Sequence, residues 1–226
     1  MPSPSSPQRR PGRPRAGSED KRARILAEAF RLFAEKGFAA TSLGDVAAAA
    51  EISKAGLLHH FGSKEGLYTA VLEQRDADDF VGMTDIGDDV WAYLDTWVDL
   101  ARDNARSPEM VRLYSAMAVD GVEADHPAHR WLHQHFARAV EATADAFEQG
   151  KAAGTVHPDA PSHELARTVV ALSDGMQLQW LCARADAAAD GREVTATPDH
   201  TGLPLDLAAQ MRLVVDLIAA RWRRPA

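Results

Sequence analysis

Residues 33–72 carry the most ordered pattern of the chain and read FAEKGFAATSLGDVAAAAEISKAGLLHHFGSKEGLYTAVL. Ser42, with Asp45 three residues later, predicts a capping box at the start of a short helix. Ser53 and Ser63 are placed to cap the two helices that follow, because hydroxyl side chains accept hydrogen bonds from the free N–H groups of a first turn. Two short helices joined by a tight turn indicate a helix-turn-helix, whose second helix can enter the roughly 12 Å wide major groove of DNA.

The segments that flank this stretch define the limits of the unit. Ile25, Leu32 and neighbouring apolar residues repeat at helical spacing up to Gly37, which predicts a preceding helix of about five turns. The first residues are Pro, Ser, Arg and Gly with almost nothing to bury, so residues 1–17 are predicted to be a disordered arm. The DNA-binding unit is predicted to span residues 18–74.

Residues 75–226 show strong patterns of the helical kind alone, with no convincing strand and no repeat, so the fold class is predicted to be all-α. This part is predicted to be a helical domain. Its predicted helices are one with an apolar stripe of Trp91, Leu94, Trp97 and Ala101, one that begins at Ser107-Pro108, and three over about 127–152, 162–185 and 205–222.

The composition is that of a globular protein, with 46% apolar and 26% charged residues. No run of about 18 apolar residues predicts a transmembrane helix, and the basic N-terminus lacks the apolar stretch of a secretory signal. The one cysteine, Cys182, cannot form a disulfide within the chain. We therefore expect a cytoplasmic protein.

The net charge of −8 is unevenly distributed along the chain. Residues 1–65 hold eleven Lys or Arg against seven Asp or Glu, a balance of +4. Residues 66–226 hold fourteen against twenty-six, a balance of −12. An acidic body with a basic N-terminal quarter indicates that this quarter alone meets a polyanion.

The 33–72 stretch resembles the N-terminal domain of tetracycline-repressor (TetR) family transcription regulators. The matching features are the Thr-Ser cap, the Val-Ala helix, Ile-Ser-Lys and then His-Phe-x-Ser-Lys-Glu. There is one departure, because Leu58 stands where the family usually has a tyrosine that contacts phosphate. The resemblance then implies that another side chain, such as His59 or Lys64, makes that contact.

The reading surface is predicted at the N-terminal end of the third helix, where small and hydrogen-bonding side chains let the backbone approach base edges. Hydroxyls and a lysine at helix N-termini favour phosphate, because free N–H groups and the helix dipole attract anions. The predicted DNA-binding residues of the unit are Thr41, Ser42, Ser53, Lys54, Ala55, Gly56, Leu57, His59, His60 and Lys64.

The arm contains RRPGRPR, which resembles an Arg-Gly-Arg-Pro minor-groove hook with proline in place of the first arginine. Arginines on extended segments enter the narrow minor groove of A·T tracts because its potential is most negative there. Arg13 and Arg15 are therefore candidate DNA contacts. A solvated tail is an equal alternative.

Two groups of histidines are candidate metal ligands, and in both we favour a reading without metal. His59 and His60 are adjacent, so their side chains point about 100° apart on a helix. The resemblance puts one near phosphate and the other toward the interior with Phe61; the alternative is that both only pack or cap. In the second group no Cys or Glu supplies an obvious third ligand, so a solvated face is favoured over zinc. That group comprises His126, His129, His133 and His135.

The resemblance implies that residues 75–226 are a ligand-binding and dimerisation domain. It implies a homodimer in which the last two helices pack against their copies in the partner as a four-helix bundle. Such dimers read two half-sites about 34 Å apart on a palindromic operator. Wide apolar stripes on both helices agree with this arrangement. The small residues expected to permit close approach are Ala166, Ala171, Gly175 and Ala208.

A set of aromatic residues and methionines on the central helices suits an apolar or aromatic small molecule, although such residues are more often plain core. Tyr114, Asp174 and Gln177 are the expected orienting groups. The predicted pocket consists of Trp97, Met110, Tyr114, Met117, Trp131, Asp174, Met176, Gln177 and Trp180.

The function predicted from these features is that of a homodimeric, ligand-responsive DNA-binding regulator, most simply a repressor. One rival is a ligand-independent architectural DNA-binding protein. An enzyme is disfavoured, since the sequence contains no G-x-S-x-G, G-x-G-x-x-G or Walker motif, and no cofactor is implied.

Overall fold

The computed structural model describes residues 16–81, 89–126, 128–190 and 205–224. Helices cover most of these ranges, and their β-type pairing is limited to one isolated bridge between Val156 and Arg223. The predicted all-α fold is confirmed. The helices of the described residues are α1 (Ala16–Ala40), α2 (Leu43–Ala49), α3 (Lys54–Phe61), α4 (Lys64–Val81), α5 (Val90–Arg106), α6 (Pro108–Asp120), α7 (His129–Ala152), α8 (Ser162–Ala189) and α9 (Leu207–Trp222).

Most of the predicted arm, including Arg13 and Arg15, lies outside the described residues. Helix α1 begins at Ala16, two residues before the predicted start of the DNA-binding unit. Its regular geometry breaks at Gly37, where φ is 81° and ψ is 163°. A side chain is rarely tolerated at such angles, so glycine makes the predicted stop possible.

Hydrogen bonds at the helix starts confirm the local predictions in the 33–72 stretch. Ser42 Oγ accepts from Asp45 N at 3.1 Å while Ser42 N donates to Asp45 Oδ2 at 2.9 Å, which completes the capping box. Ser53 Oγ accepts from the N–H of Gly56 at 3.0 Å, and Ser63 Oγ caps α4 in the same way.

Ser107 departs from this pattern. Helix α6 begins with Pro108 as predicted, but the Ser107 side chain makes no capping hydrogen bond. Its backbone angles, φ −129° and ψ 61°, differ from the extended conformation of Ser42 and Ser53, so its hydroxyl is not directed at the first turn.

Two hydrophobic clusters organise the helices. The first, which we call the head core, is formed by α1–α4 together with Leu113 and Met117 of α6 and Trp131 of α7. The second, the body core, draws mainly on α5, α7, α8 and α9, with α5 packed along α9 and α7 along α8. Because α6 contributes to the head core, the DNA-binding unit rests on a helix of the body.

Helix α4 joins the two parts of the molecule without interruption. It begins at Lys64 and continues to Val81, so the predicted boundary after Gln74 falls inside a helix. The division of the chain at this residue stays a prediction. No helix within the described ranges combines the length and apolarity needed to cross a bilayer.

Candidate nucleic-acid interface and cavity

Helix α3 presents its N-terminal end to solvent. Ser53, Lys54 and Ala55 are exposed, and Gly56 is half-buried. A Cβ added to Gly56 would meet Ser53 Oγ at 3.2 Å, so a larger residue there would crowd the cap. The exposed end therefore combines one cation with small neighbouring side chains, which suits a close approach to base edges.

Leu57 does not share this exposed face, and its predicted contact with DNA is wrong. The side chain is 0% exposed and belongs to the head core. The reason is helical geometry, since a short helix docked on a core must turn one residue of each turn inward. Leu57 fixes how α3 is seated, and the residues around it face outward.

Thr41 is also misplaced in the predicted interface. It is 1% exposed, and its hydroxyl lies 3.1 Å from the carbonyl oxygen of Leu32 and 2.9 Å from that of Gly37. These carbonyls lie at the end of α1, where helices leave acceptors unsatisfied. The Thr41 side chain closes α1 and is not available to phosphate. Ser42, next to it, remains exposed.

His59 and His60 are both exposed, so the interior position predicted for one of them is wrong. Their ring centroids are 5.9 Å apart with planes inclined at 62°. Leu58, which precedes them, is 37% exposed. The inward positions of α3 are taken by Leu57 and, four residues later, by the half-buried Phe61, which leaves His59 and His60 directed outward.

Lys64 ties the start of α4 to the end of α1. Its Nζ donates to the carbonyl oxygen of Ala39 at 3.2 Å and lies 4.3 Å from the centroid of the Phe38 ring. An ammonium group has three donors, so a phosphate contact is compatible with this arrangement. The predicted phosphate contact of Lys64 stays a prediction.

The second histidine group is dispersed. His129 Nδ1 lies 2.9 Å from the carbonyl oxygen of Gly121, His126 Nδ1 accepts from Ala128 N at 3.2 Å, and His133 is exposed. His135 is half-buried and faces a cavity, so the solvated face predicted for it is wrong. Within the described part of the chain, no three His, Cys, Asp or Glu side chains are grouped to hold a metal ion.

A cavity of about 80 Å³ lies between α4, α5, α6, α7 and α8. It holds five of the residues predicted for the pocket, namely Trp97, Met110, Tyr114, Asp174 and Gln177. Sequence reasoning missed the other lining residues, which are Arg75, Asp76, Leu100, Asn104, Val111, His135, Ala139, Val170 and Ser173.

Four residues predicted for the pocket lie elsewhere. Met117 and Trp131 are buried in the head core, and Trp180 is buried in the body core, against which Met176 also packs. All four are large apolar side chains on helices that border the cavity. The faces that they occupy are filled by neighbouring helices, which is why they line no open space.

The polar wall of the cavity is organised around Asp76, which is 8% exposed. One carboxylate oxygen lies 2.9 Å from His135 Nδ1, and the other accepts from Arg138 Nη2 at 2.9 Å. The ring of His135 is stacked on Trp131 with centroids 5.1 Å apart. Beside it, Arg75 Nη2 donates to Asn104 Oδ1 at 2.9 Å. Asp76 is thus a buried charge with partners on both oxygens, as such groups require.

Asp174 and Tyr114 form a second polar pair on the wall. Burial raises the pKa of Asp174 to about 6, and the opposing influences of His135 and the Tyr114 hydroxyl are smaller. The pKa of Tyr114 is also raised, by burial first and then by the charges of Asp174 and Asp76. The Tyr114 hydroxyl is buried beside Asp174 without the distance and angle of a full hydrogen bond.

Helices α8 and α9 expose an apolar face. Its leucines, which we call the leucine face, are between 41% and 63% exposed and comprise Leu172, Leu178, Leu213 and Leu217. Of the small residues expected to permit close approach, Ala171 is exposed, whereas Ala166 is fully buried within the chain. Ala166 thus permits close packing within the chain, and the close approach of the partner's helices stays a prediction.

An outward helix-turn-helix on an all-α body defines a class of protein, the DNA-binding regulators. Comparison with known proteins agrees. The model of bacterial regulatory proteins of the tetR family matches residues 25–71. The transcriptional repressor SCO4008 of Streptomyces coelicolor is 31% identical over 134 residues, which are 58% of this chain and 67% of that protein. The chain belongs to the TetR family, and it is a transcriptional regulator of that family.

Solved structures share the fold over nearly the whole chain. A TetR regulator from Haloarcula marismortui superposes with a TM-score of 0.70 at 15% identity, over 91% of this chain and 100% of that one. The SmeT–triclosan complex gives 0.68 at 18% identity, over 92% and 93%. Several other curated relatives match a shorter part, for example RutR of Escherichia coli, 48% identical over 27% of this chain and 29% of that protein. Both curated relatives are named as transcriptional regulators or repressors.

Proposed function

We propose that this chain is a homodimeric repressor whose affinity for a palindromic operator falls when a small molecule enters the cavity. The main support for this proposal is the path of helix α4, which runs from the reading helix to the cavity. This helix begins directly after the reading helix α3, and Arg75 and Asp76 near its other end line the cavity. A ligand that displaces this wall moves the helix on which the reading unit is mounted.

Helix α6 is a second structural link between the cavity and the head core. Met110 and Tyr114 line the cavity, while Leu113 and Met117 of the same helix are buried in the head core. The Tyr68 hydroxyl donates to the carbonyl oxygen of Leu113 at 3.3 Å, which joins α4 to α6. A coupling of about 1–3 kcal/mol between the two sites is enough to regulate binding.

The size of the cavity favours a ligand-induced change. A cavity of about 80 Å³ is smaller than the roughly 150 Å³ cavity that accommodates benzene in another protein. An aromatic ligand therefore binds better when the surrounding helices have moved apart, and a ligand shifts an equilibrium only through such differential affinity. SmeT, which has the same fold, has been solved with triclosan, an aromatic small molecule.

The leucine face is the proposed dimer interface. Its four leucines lie on two adjacent helices and are among the few exposed large apolar side chains of the described residues. Exposed large apolar side chains gathered on neighbouring helices suit an association site. Two-fold pairing of the face gives a four-helix bundle of α8 and α9 from both chains and holds two reading helices for two half-sites.

The experiment that tests this proposal is selection of bound duplexes from a random DNA pool by the purified full-length chain. We expect enrichment of inverted half-sites whose centres are about 34 Å apart or a multiple of that distance. Leu217→Lys should weaken dimerisation and operator binding together. Val119→Lys, which changes an equally exposed residue on α6, is the matched control and should alter neither.

The selection also separates the rival functions. A ligand-independent architectural protein would bind duplexes without an enriched motif, and no small molecule would release it. Enrichment of single half-sites by the wild-type chain, with equal behaviour of Leu217→Lys and Val119→Lys, would rule out the proposed dimer.

A further inference from the structure

The charged groups that line the cavity differ in whether they have partners. Asp76 is paired on both carboxylate oxygens, by His135 and by Arg138. Arg75 is held by Asn104 through a hydrogen bond of 2.9 Å. These groups form a polar wall in which Asp76 has ion-pair partners and Arg75 has a hydrogen-bonding partner. A ligand gains little by approaching a carboxylate that is already doubly bonded.

Asp174 is the exception among these groups. In the described ranges, no Lys, Arg or His nitrogen forms an ion pair with its carboxylate. His135 lies close enough to influence Asp174, but its Nδ1 is within hydrogen-bonding distance of Asp76. The neighbouring Tyr114 hydroxyl is buried and also lacks a full hydrogen bond. A carboxylate removed from water without a bonded cation is costly, and a ligand that brings positive charge removes that cost.

The rest of the lining suits the body of such a ligand. Trp97 and Tyr114 contribute aromatic side chains, and Leu100, Met110 and Val170 contribute apolar ones. Cations bind favourably over aromatic faces, most strongly where water is excluded. The cavity therefore offers a counter-charge, aromatic rings and an apolar wall within one small volume.

We propose that the cavity selects small aromatic cations, with the carboxylate of Asp174 as the counter-charge and the Tyr114 hydroxyl beside it. This inference rests on the proposed function, because it names the chemical class of the effector. An anionic ligand would meet the carboxylate of Asp174, which has no ion pair within the described residues, so we expect it to bind more weakly than a cation although Arg75 also lines the cavity. A neutral ligand leaves the Asp174 carboxylate without a cation.

Three probes of nearly equal size and shape test the charge preference: benzylammonium, benzyl alcohol and benzoate. Binding to the full-length chain at pH 7.5 is measured by calorimetry, with tryptophan fluorescence as a second readout because Trp97 lines the cavity. We expect benzylammonium to bind at least tenfold more tightly than benzyl alcohol, and benzoate most weakly.

The variant that decides the role of Asp174 is Asp174→Asn, which keeps the shape and removes the charge. In this variant benzylammonium and benzyl alcohol should bind with about equal affinity, while the affinity for benzyl alcohol itself changes less than threefold. Asp186→Asn removes an exposed carboxylate from the same helix and should leave the preference intact. A thermal unfolding curve of each variant confirms that it is folded.

The outcomes distinguish this inference from the proposed function. Equal binding of the three probes, tighter binding of benzoate, an unchanged preference in Asp174→Asn, or no binding of benzylammonium would each overturn the inference. The release of a selected operator duplex is measured in parallel. Charge-selective binding at Asp174 without any change in operator affinity would uphold the inference and overturn the ligand-responsive part of the proposed function.

Discussion

The outer face of α3 and the wall of the cavity both concentrate polar chemistry, but they hold their charges in opposite ways. Lys54, His59 and His60 project into solvent. Asp76 is buried with two partners, and Asp174 is largely enclosed with no ion pair within the described part of the chain. An exposed cation costs the fold little and can exchange its counterions for phosphate, whereas an enclosed carboxylate must find its partner inside the protein or in a ligand.

This difference determines how far function can be separated from stability. On α3 the inward residue holds the helix and the outward residues are free to read DNA, so the two roles lie on different side chains. In the cavity the same carboxylates shape the site and affect the free energy of unfolding. Substitutions on the two surfaces should therefore differ in which measurements they change.

The largest effect is expected inside α3. Leu57→Ala removes a fully buried side chain from the head core and should lower the free energy of unfolding by about 2–5 kcal/mol. The neighbouring Leu58→Ala, at a 37% exposed position, should change it by less than about 0.5 kcal/mol. Urea denaturation at a fixed protomer concentration measures both. Equal losses would show that α3 has no distinct inner and outer face.

The next effect is a pH-dependent stabilisation by Asp174→Asn. Because the pKa of Asp174 is raised to about 6 from an ordinary value of 3.8, ionisation of this group opposes folding. The unfavourable contribution is absent below about pH 3.8, grows between pH 4 and 6 and is complete above pH 6. At pH 8 the variant should be more stable than the wild type by up to about 3 kcal/mol.

The measurement is the difference in unfolding free energy between wild type and Asp174→Asn from pH 4 to pH 8. Asp186→Asn, at an exposed position of α8, should show no such trend. A difference that shrinks as the pH rises would contradict the enclosed state of the Asp174 carboxylate.

A third and smaller effect separates two cations of the reading unit. Lys54→Ala should lower operator affinity by about 1–3 kcal/mol, by amounts that differ between operator variants if Lys54 reads bases. Its unfolding free energy should stay within about 0.5 kcal/mol of wild type, since the side chain is exposed. Fluorescence anisotropy on a set of operator variants measures the affinities.

Lys64→Ala is the companion variant. It should weaken binding uniformly across operator variants and reduce the salt slope by about one, as loss of a phosphate contact does. Because Lys64 also contacts Ala39 and the Phe38 ring, this variant should be slightly less stable than Lys54→Ala. Unchanged DNA binding by both variants would place the reading surface elsewhere.

The smallest effect is expected at the capping box. Ser42→Ala removes the acceptor of Asp45 N and the donor to its carboxylate, and should cost about 1 kcal/mol of unfolding free energy. Hydrogen bonds from the Ser42 backbone N–H and, second, from its hydroxyl lower the pKa of Asp45, and Ser42→Ala removes only the second. The stabilisation from these two bonds is present at neutral pH and is lost as the pH falls through the lowered pKa. Thermal unfolding at pH 7 and pH 3 provides the comparison.

The sequence by itself determined where the short helices of the DNA-binding unit begin and end. The caps at Ser42, Ser53 and Ser63 join groups three residues apart, so the pattern contains both partners of each hydrogen bond. The glycine that ends α3, Gly62, has a φ of 74° that few other residues adopt. Interactions of such short range depend on neighbouring residues alone, and the three caps were predicted correctly. The inward turn of Leu57 was missed because an eight-residue helix has too few turns to reveal its buried face.

Only the tertiary structure decided the cavity. Its polar wall joins Arg75 to Asn104 across 29 residues, and Asp76 to His135 and Arg138 across 59 and 62 residues. No local pattern connects such positions. Met117 and Trp131 resemble pocket residues by type, yet they fill the head core. An apolar side chain can line a cavity or fill a core, and the choice depends on how closely the surrounding helices pack. Those helices are distant in sequence, so the choice is made only in the folded protein.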